Sequence, residues 1–345
     1  MIITSVLPPA SLPPGPDHDS QTCSESKQPS NTRPGPSTDR SLLVVVLSLV
    51  TLGFTYALVV LGSTVRVTES GMGCSSWPLC NGQIGLVGNS HALIEQGHRY
   101  LAGLVTVSGF ATVWAAWRTT SRRAALAPSL VAAGLVLFQA GLGALTVFTH
   151  NAPWTVAIHL ITGLVFLGVV TLTATIALVG GNHFRLDLRA AGHWASVALG
   201  ATLLLLVSGA VVVDGGAARS CPSWPICTHP GPLHLIALQL LHRSLVAIAS
   251  IAMVGFVVTS WPRMAERRRW HTAAAGLLVL LPVVASLGAA SALSRAQATL
   301  QDLHLVLASA LWALLVALVV SASVSPDAGE SSSTLWMSRI FDRSS

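Results

Sequence analysis

The chain reads as an all-α integral membrane protein: eight transmembrane helices arranged as two four-helix bundles related by a pseudo-twofold axis. Three observations predict this. First, 52% of the 345 residues are hydrophobic and only 9% are charged, where soluble domains carry about a quarter charged residues. Second, the apolar residues gather in runs near 20 residues long without period-2 alternation. In lipid only helices and closed barrels satisfy the backbone, and runs of this kind are helical. Third, the second half of the sequence repeats the first.

In chain order, residues 1–40 are rich in Pro, Ser, Thr and Asp, as in SLPPGPDHDS, and read as a disordered cytoplasmic tail. No apolar segment follows a basic start, so a secretory signal is not expected, and Asp17, Asp19 and Glu25 speak against a mitochondrial presequence. Eight apolar segments follow, at roughly 42–61, 93–117, 126–148, 154–179, 191–213, 235–260, 272–291 and 300–322. Residues 41–180 then form a first bundle, 190–323 a second, and 324–345 a polar cytoplasmic tail.

With both termini inside, 14 of the 19 Lys and Arg fall on the inner side. The outer side keeps Arg66, Arg99, Arg219, Arg243 and Arg295. This asymmetry is the positive-inside rule, and it accounts for the net charge of +6 without nucleic acid. Trp114, Trp117, Trp154, Trp194 and Trp261 fall near span ends, as interfacial anchors do.

The duplication is read from four landmarks. Cys74 and Cys80 recur as Cys221 and Cys227, both 147 residues on; His98 recurs as His242 at 144; the LGA of 142–144 and His159 recur as the LGA of 287–289 and His304 at 145. Each half has four spans, an even number, so both insert in the same direction, side by side about an axis along the membrane normal.

His98, His159, His242 and His304 each lie a few residues inside one end of an even-numbered span. An ionisable group within a span marks a functional site by default; the bland alternative is a histidine bonded to a neighbouring helix. Two per half, from two helices at similar depth, is the pattern of bis-imidazole haem ligation between bundle helices. A zinc site would gather three or four ligands. His18, His183, His193 and His271 read as solvated or interfacial residues, and His91, His150, His229 and His234, in or near outer loops, as surface residues with an entry path as the alternative. Arg99 and Arg243 follow the first histidine of each half and are candidate propionate partners, with snorkelling to headgroups as the alternative. Asp302 could neutralise Arg295 or Arg243.

Cys74-Ser-Ser-Trp-Pro-Leu-Cys80 and Cys221-Pro-Ser-Trp-Pro-Ile-Cys227 lie in outer loops, where oxidising conditions favour disulfides. Four cysteines allow three connectivities, and the duplication favours the local one. The pairs stiffen a lid over each bundle or serve redox exchange with a partner; the structural role is preferred. Cys23, alone in the tail, reads as incidental. The repeat breaks at Glu95, three residues before His98, whose counterpart is Gln239. A helix-end acid is the bland reading. Its loss in the duplicate favours proton chemistry in the first half only.

Together, Glu95-Gln-Gly-His98-Arg99, the two Cys-x5-Cys loops with Trp-Pro, and His159, His242 and His304 resemble the haem A synthase family in its bacterial form, over about residues 41–322. The resemblance implies eight transmembrane helices in two related bundles. It implies oxidation of the C8 methyl of haem O to a formyl group by two successive hydroxylations, supplying haem A to terminal oxidases. It implies His98 and His159 as the substrate haem site, Glu95 as catalytic acid/base, and His242 and His304 as ligands of a haem b cofactor that relays electrons. Both disulfides, a bacterial plasma membrane location, and contact with haem O synthase, terminal oxidase assembly factors and an electron acceptor follow as expectations. Two axial histidines kept on the substrate iron would favour electron removal and water attack over an iron-oxo route. The main rival is a two-haem electron-transfer protein similar to cytochrome b561, and a duplicated transporter is a more distant one.

Overall fold

The structure, a computed structural model, describes residues 36–85, 88–179, 189–228, 231–264 and 268–323. Nearly all of both tails, with Cys23 and His18, lies outside the described residues, as do His183 and His229. Eight long helices fill the described part: α1 (Pro36–Val67), α2 (Ser90–Arg118), α3 (Leu126–Phe148), α4 (Pro153–Val179), α5 (His193–Asp214), α6 (Leu233–Met264), α7 (Arg268–Leu293) and α8 (Ala298–Ala322). All eight are long and apolar enough to cross a membrane. Among the described residues there is no strand, only an isolated bridge between Cys80 and Gln83.

Local signals explain several ends. Asn89 caps α2, its side chain accepting from Ala92 N. Pro153 opens α4, where its missing N–H costs nothing. Hydroxyls inside the spans are satisfied by their own helix: Thr55 bonds the Thr51 carbonyl, Thr171 that of Leu167 and Thr175 that of Thr171. α1 departs most from the sequence reading. It begins at Pro36, inside the expected tail, and runs six residues past the expected end at 61.

Helices α1 to α4 pack in order around a closed ring, and α5 to α8 do the same. Between the two quartets α4 meets α8, and α1 meets α8 as α5 meets α4. Exchanging the halves leaves that set of contacts unchanged. α4 and α8 are accordingly the most enclosed helices, with 61% and 44% of their most apolar stretches buried, against 17% for α7. The seam is also hydrogen-bonded. Trp312 Nε1 donates to the Leu164 carbonyl (2.9 Å), its ring against Gly168, and Tyr56 Oη donates to the Val306 carbonyl (3.0 Å). Leu167, Phe256, Leu277 and Leu315 make one apolar cluster across both quartets. Large apolar side chains left exposed, such as Val107, Val258 and Val279, face outward on the helices, as a lipid-facing surface does. Of the tryptophan anchors, Trp114, Trp117, Trp154 and Trp261 are exposed. Trp194 instead tucks against Gly255 of α6.

Candidate functional site

The four histidines occupy α2, α4, α6 and α8, and each imidazole lies against a glycine of the preceding helix. A Cβ added to Gly62 would stand 2.9 Å from His98 Cε1, one on Gly288 2.9 Å from His304 Cε1, one on Gly209 3.3 Å from His242 Cε1 and one on Gly143 3.6 Å from His159 Cε1. Gly62 and Gly209 are 147 residues apart, and Gly143 and Gly288 are 145 apart. These seats therefore belong to the duplication. They let a ring lie flat on backbone, so it projects between helices. His98 is within electrostatic reach of His159, and His242 of His304. Among the described residues no three His, Cys, Asp or Glu converge as a metal-binding group.

The pairs differ in how they are held. In the second half, Ser208 Oγ donates its single proton to the Leu205 carbonyl (2.7 Å). Its contact with His242 Nδ1 (2.9 Å) must then be accepted from the ring, so Nδ1 carries the hydrogen. His304 Nδ1 lies 3.0 Å from the Val284 carbonyl, which can only accept. Both rings are thereby fixed with Nε2 bare, the nitrogen that would coordinate a metal. In the first half, His98 Nδ1 and His159 Nδ1 are buried without a hydrogen-bond partner. The residue matching Ser208 is Leu61, and that matching Val284 is Gln139. The Gln139 amide bonds the His159 carbonyl (3.0 Å) and accepts from Thr162 Oγ1 (2.6 Å), leaving the ring untouched.

His242 and His304 line a cavity between the helices that is partly open to the outside. Its lining is mostly aliphatic, with Leu281 and Leu305 beside both histidines and Gly209 and Gly288. Leu160 and Leu164 of α4 and Arg66 of α1 complete the wall from the other half. A flat apolar group with a metal at its centre fits this lining: oily walls, two imidazoles and two arginines.

Each histidine pair lies below a disulfide loop. The bonds are local, Cys74–Cys80 and Cys221–Cys227, with Cα separations of 4.7 and 5.3 Å. Arg99 Nη1 donates to the carbonyls of Ser76 (2.6 Å), Pro78 and Leu79 (both 3.3 Å). Arg243 Nη1 donates to those of Ser223 and Pro225 (both 2.9 Å), Nη2 to that of Cys221 (3.1 Å), and its guanidinium lies over Trp224. The two arginines thus share two matching carbonyls, Ser76 with Ser223 and Pro78 with Pro225, and differ in the third. Gly73 lets the first loop close down, because a Cβ there would sit 2.6 Å from Ala92 N.

Glu95 is buried, 4% exposed, and both its oxygens are engaged: Oε1 with Arg99 Nη2 (2.5 Å), Oε2 with Cys74 N (2.8 Å). Its counterpart Gln239, equally buried, donates to the Ala217 carbonyl (2.9 Å). The acid therefore points at the loop, one turn from His98. Asp302 reaches Thr64 Oγ1 (3.5 Å) and acts electrostatically on Arg66, a residue of the other half rather than the nearby arginines expected from sequence. Sequence reasoning also missed the glycine seats and Ser208. The glycines were visible as columns of the repeat; Ser208 has no sequence signal, since its counterpart is a leucine.

Comparison with known proteins adds four findings. The family model described as cytochrome oxidase assembly protein matches residues 45–91 and 86–316. The heme A synthase of Exiguobacterium sibiricum is 30% identical over 201 residues, 56% of this chain and 68% of that protein. The heme A synthase of Lysinibacillus sphaericus is 28% identical over 277 residues, 75% of this chain and 88% of that protein. A protoheme IX farnesyltransferase of Halobacterium salinarum is 31% identical over 132 residues, 38% of this chain and 28% of that protein.

Proposed function

Because the chain belongs to the cytochrome oxidase assembly protein family, we propose that it is a haem A synthase, a membrane oxidoreductase that converts the C8 methyl of haem O to a formyl group by two successive hydroxylations. The relatives named heme A synthase support this activity. The observation that carries the finer reading is the difference between the histidine pairs. The second half, with both rings fixed in the ligating tautomer beside a large apolar cavity, holds haem b as a resident cofactor. The first half, with both rings unanchored and an acid added, is the berth for haem O.

In that reading residues 41–180 and 190–323 form two bundles related by a pseudo-twofold axis, and the symmetric contacts at the seam support it. His98 and His159 hold the substrate iron and set the porphyrin between α2 and α4. Their free Nδ1 atoms suit a ligand that arrives and leaves. With water as the oxygen source, each hydroxylation releases two electrons and two protons, and the gem-diol left by the second loses water to give the formyl group. Glu95 is the group placed to take a proton, and it does so by exchanging its bond to Arg99 or to Cys74 N, since both oxygens are engaged at rest. His242 and His304 hold haem b, which supplies a one-electron redox centre when bound. Arg99 and Arg243 fasten the disulfide loops, which takes up most of their donors.

The same reading sets the protein in a bacterial plasma membrane, termini cytoplasmic and cysteine loops outside. The charge asymmetry of the sequence supports this. A stretch similar to this chain within a protein named for farnesylating protohaem supports a working contact with the haem O supplier. Terminal oxidase assembly factors and an electron acceptor are the remaining partners.

The deciding experiment is haem extraction from protein purified out of cells that make haem O, read by chromatography and mass spectrometry. Haem A or its hydroxylated precursor beside haem B is expected. Haem B alone, with haem O present in the membranes, would return the protein to the electron-transfer reading.

A further inference from the structure

Two cations line the cavity of the second half, and they are in different states. Arg243 is committed to three loop carbonyls and to the face of Trp224. Arg66 comes from the end of α1, in the other half. Its one hydrogen bond is from Nη2 to Gln301 Oε1 (3.3 Å), and its Nε is buried with no partner. Two carboxylates, Asp214 and Asp302, lie within electrostatic reach of it. Neither forms an ion pair with it: among the described residues the ion pair within 4 Å is Arg99–Glu95. Asp214 Oδ2 and Asp302 Oδ1 are themselves buried without partners. Arg66 is therefore a partly buried cation at the wall of an apolar cavity, with donors to spare and one weak neutral bond.

The two carboxylates offset part of the cost of burying this cation, but neither is bonded to it, and its buried Nε–H still lacks an acceptor, which costs free energy until one is supplied. Gln301 locates it. It stands three residues, less than one helical turn, before His304. Arg66 therefore sits at the disulfide-loop edge of the space between the imidazoles. The cluster is not a relic of the duplication. The position matching Arg66 is Val213, and those matching Gln301 and Asp302 are Val156 and Ala157. Only the second half's cavity has this cation, and only because the first half lends it.

We propose that Arg66 is the anion-recognition residue of the second half's cavity, receiving with Gln301 a carboxylate at the edge of the occupant. This rests on the reading that the occupant is a haem ligated by His242 and His304, so the carboxylate is a propionate. A planar guanidinium with free N–H groups is suited to bind it with two bonds.

The test uses the full chain, purified without haem from haem-deficient cells and titrated with protohaem IX and with its dimethyl ester, which has no propionate charge. The bis-imidazole absorption spectrum reports binding, and His98→Ala with His159→Ala leaves one site to read. The charged haem should bind roughly tenfold or more tighter than the ester, as charge-assisted bonds do. Arg66→Gln should abolish that preference and leave ester binding unchanged. Arg66→Lys should keep part of it. Arg66→Gln that retains the full preference overturns the proposal, and if Arg243→Gln removes the preference instead, the role passes to Arg243. Equal weakening of both haems by Arg66→Gln would make Arg66 a packing residue only. If the unsubstituted site gives no bis-imidazole spectrum with either haem, the haem reading of the cavity fails, a separate result. Should Arg66→Gln not fold, Arg66→Lys carries the test, because a lost fork with charge kept must lower the preference.

Discussion

The two halves of this protein hold the same pair of histidines in two ways. In the second half each ring has its Nδ1–H fixed, one by Ser208 and one by the Val284 carbonyl. In the first half the corresponding nitrogens have no partner, and an acid bonded to an arginine stands where the second half has Gln239. The glycine seats and the arginine-gripped disulfide loops are common to both. What differs is one shell out from the rings: Leu61 for Ser208, Gln139 for Val284 and Glu95 for Gln239. On the function proposed above, the groups behind the rings, which set ring orientation and tautomer, make one pair a fixture and the other a berth.

The largest effects should come from the histidines themselves. His242→Ala should strip haem b from the purified protein, whereas His98→Ala should leave haem b in place and abolish haem A, both read by haem extraction. The reverse outcome would exchange the roles of the halves. Next, Glu95→Gln makes the first half resemble the second. Haem A formation should fall by about 10²–10⁴-fold with haem b content unchanged, while Gln239→Glu should leave both close to the parent level. Unchanged product in Glu95→Gln would reduce the acid to a fastening for the loop.

Third, the seats can be crowded. Gly62→Ala sets a methyl 2.9 Å from His98 Cε1, against 3.6 Å for Gly143→Ala at His159. The first should cost about 1–3 kcal/mol in haem O binding, measured by titration, and the second should be nearly silent. The smallest effect should be Ser208→Ala. His242 keeps its seat but loses its acceptor, costing about 1 kcal/mol, or roughly fivefold in haem b affinity. Leu61→Ser, its mirror image, should slow haem O release from the first half.

Much of this was legible in the sequence. The α3 and α4 spans and the positions of all four histidines follow from apolar runs and repeat spacing. The end of α1 does not. Gly62, Ser63, Thr64 and Arg66 look like the start of a loop, yet the helix continues through them to Val67. The hydroxyl of Thr64 bonds the Val60 carbonyl, and the glycine is needed where His98 rests. A span predicted from hydropathy stops where the polar residues begin; this one continues because its last turns pack on protein rather than lipid. The partner of Asp302 was hidden for a related reason. Arg66 is 236 residues away and reaches it only through the seam between α1 and α8. Glu95 was legible only as an acid about one turn from His98; its bond to Cys74 N depends on how the loop folds back.

α4 offers neighbouring residues to different rooms. His159 serves the first half, while Leu160 and Leu164 wall the cavity of the second, and the same Leu164 carbonyl holds Trp312 of α8. Neither bundle is self-sufficient. Cut between residues 180 and 190, the second would have a cavity with one side missing and the first a helix with a bare apolar face.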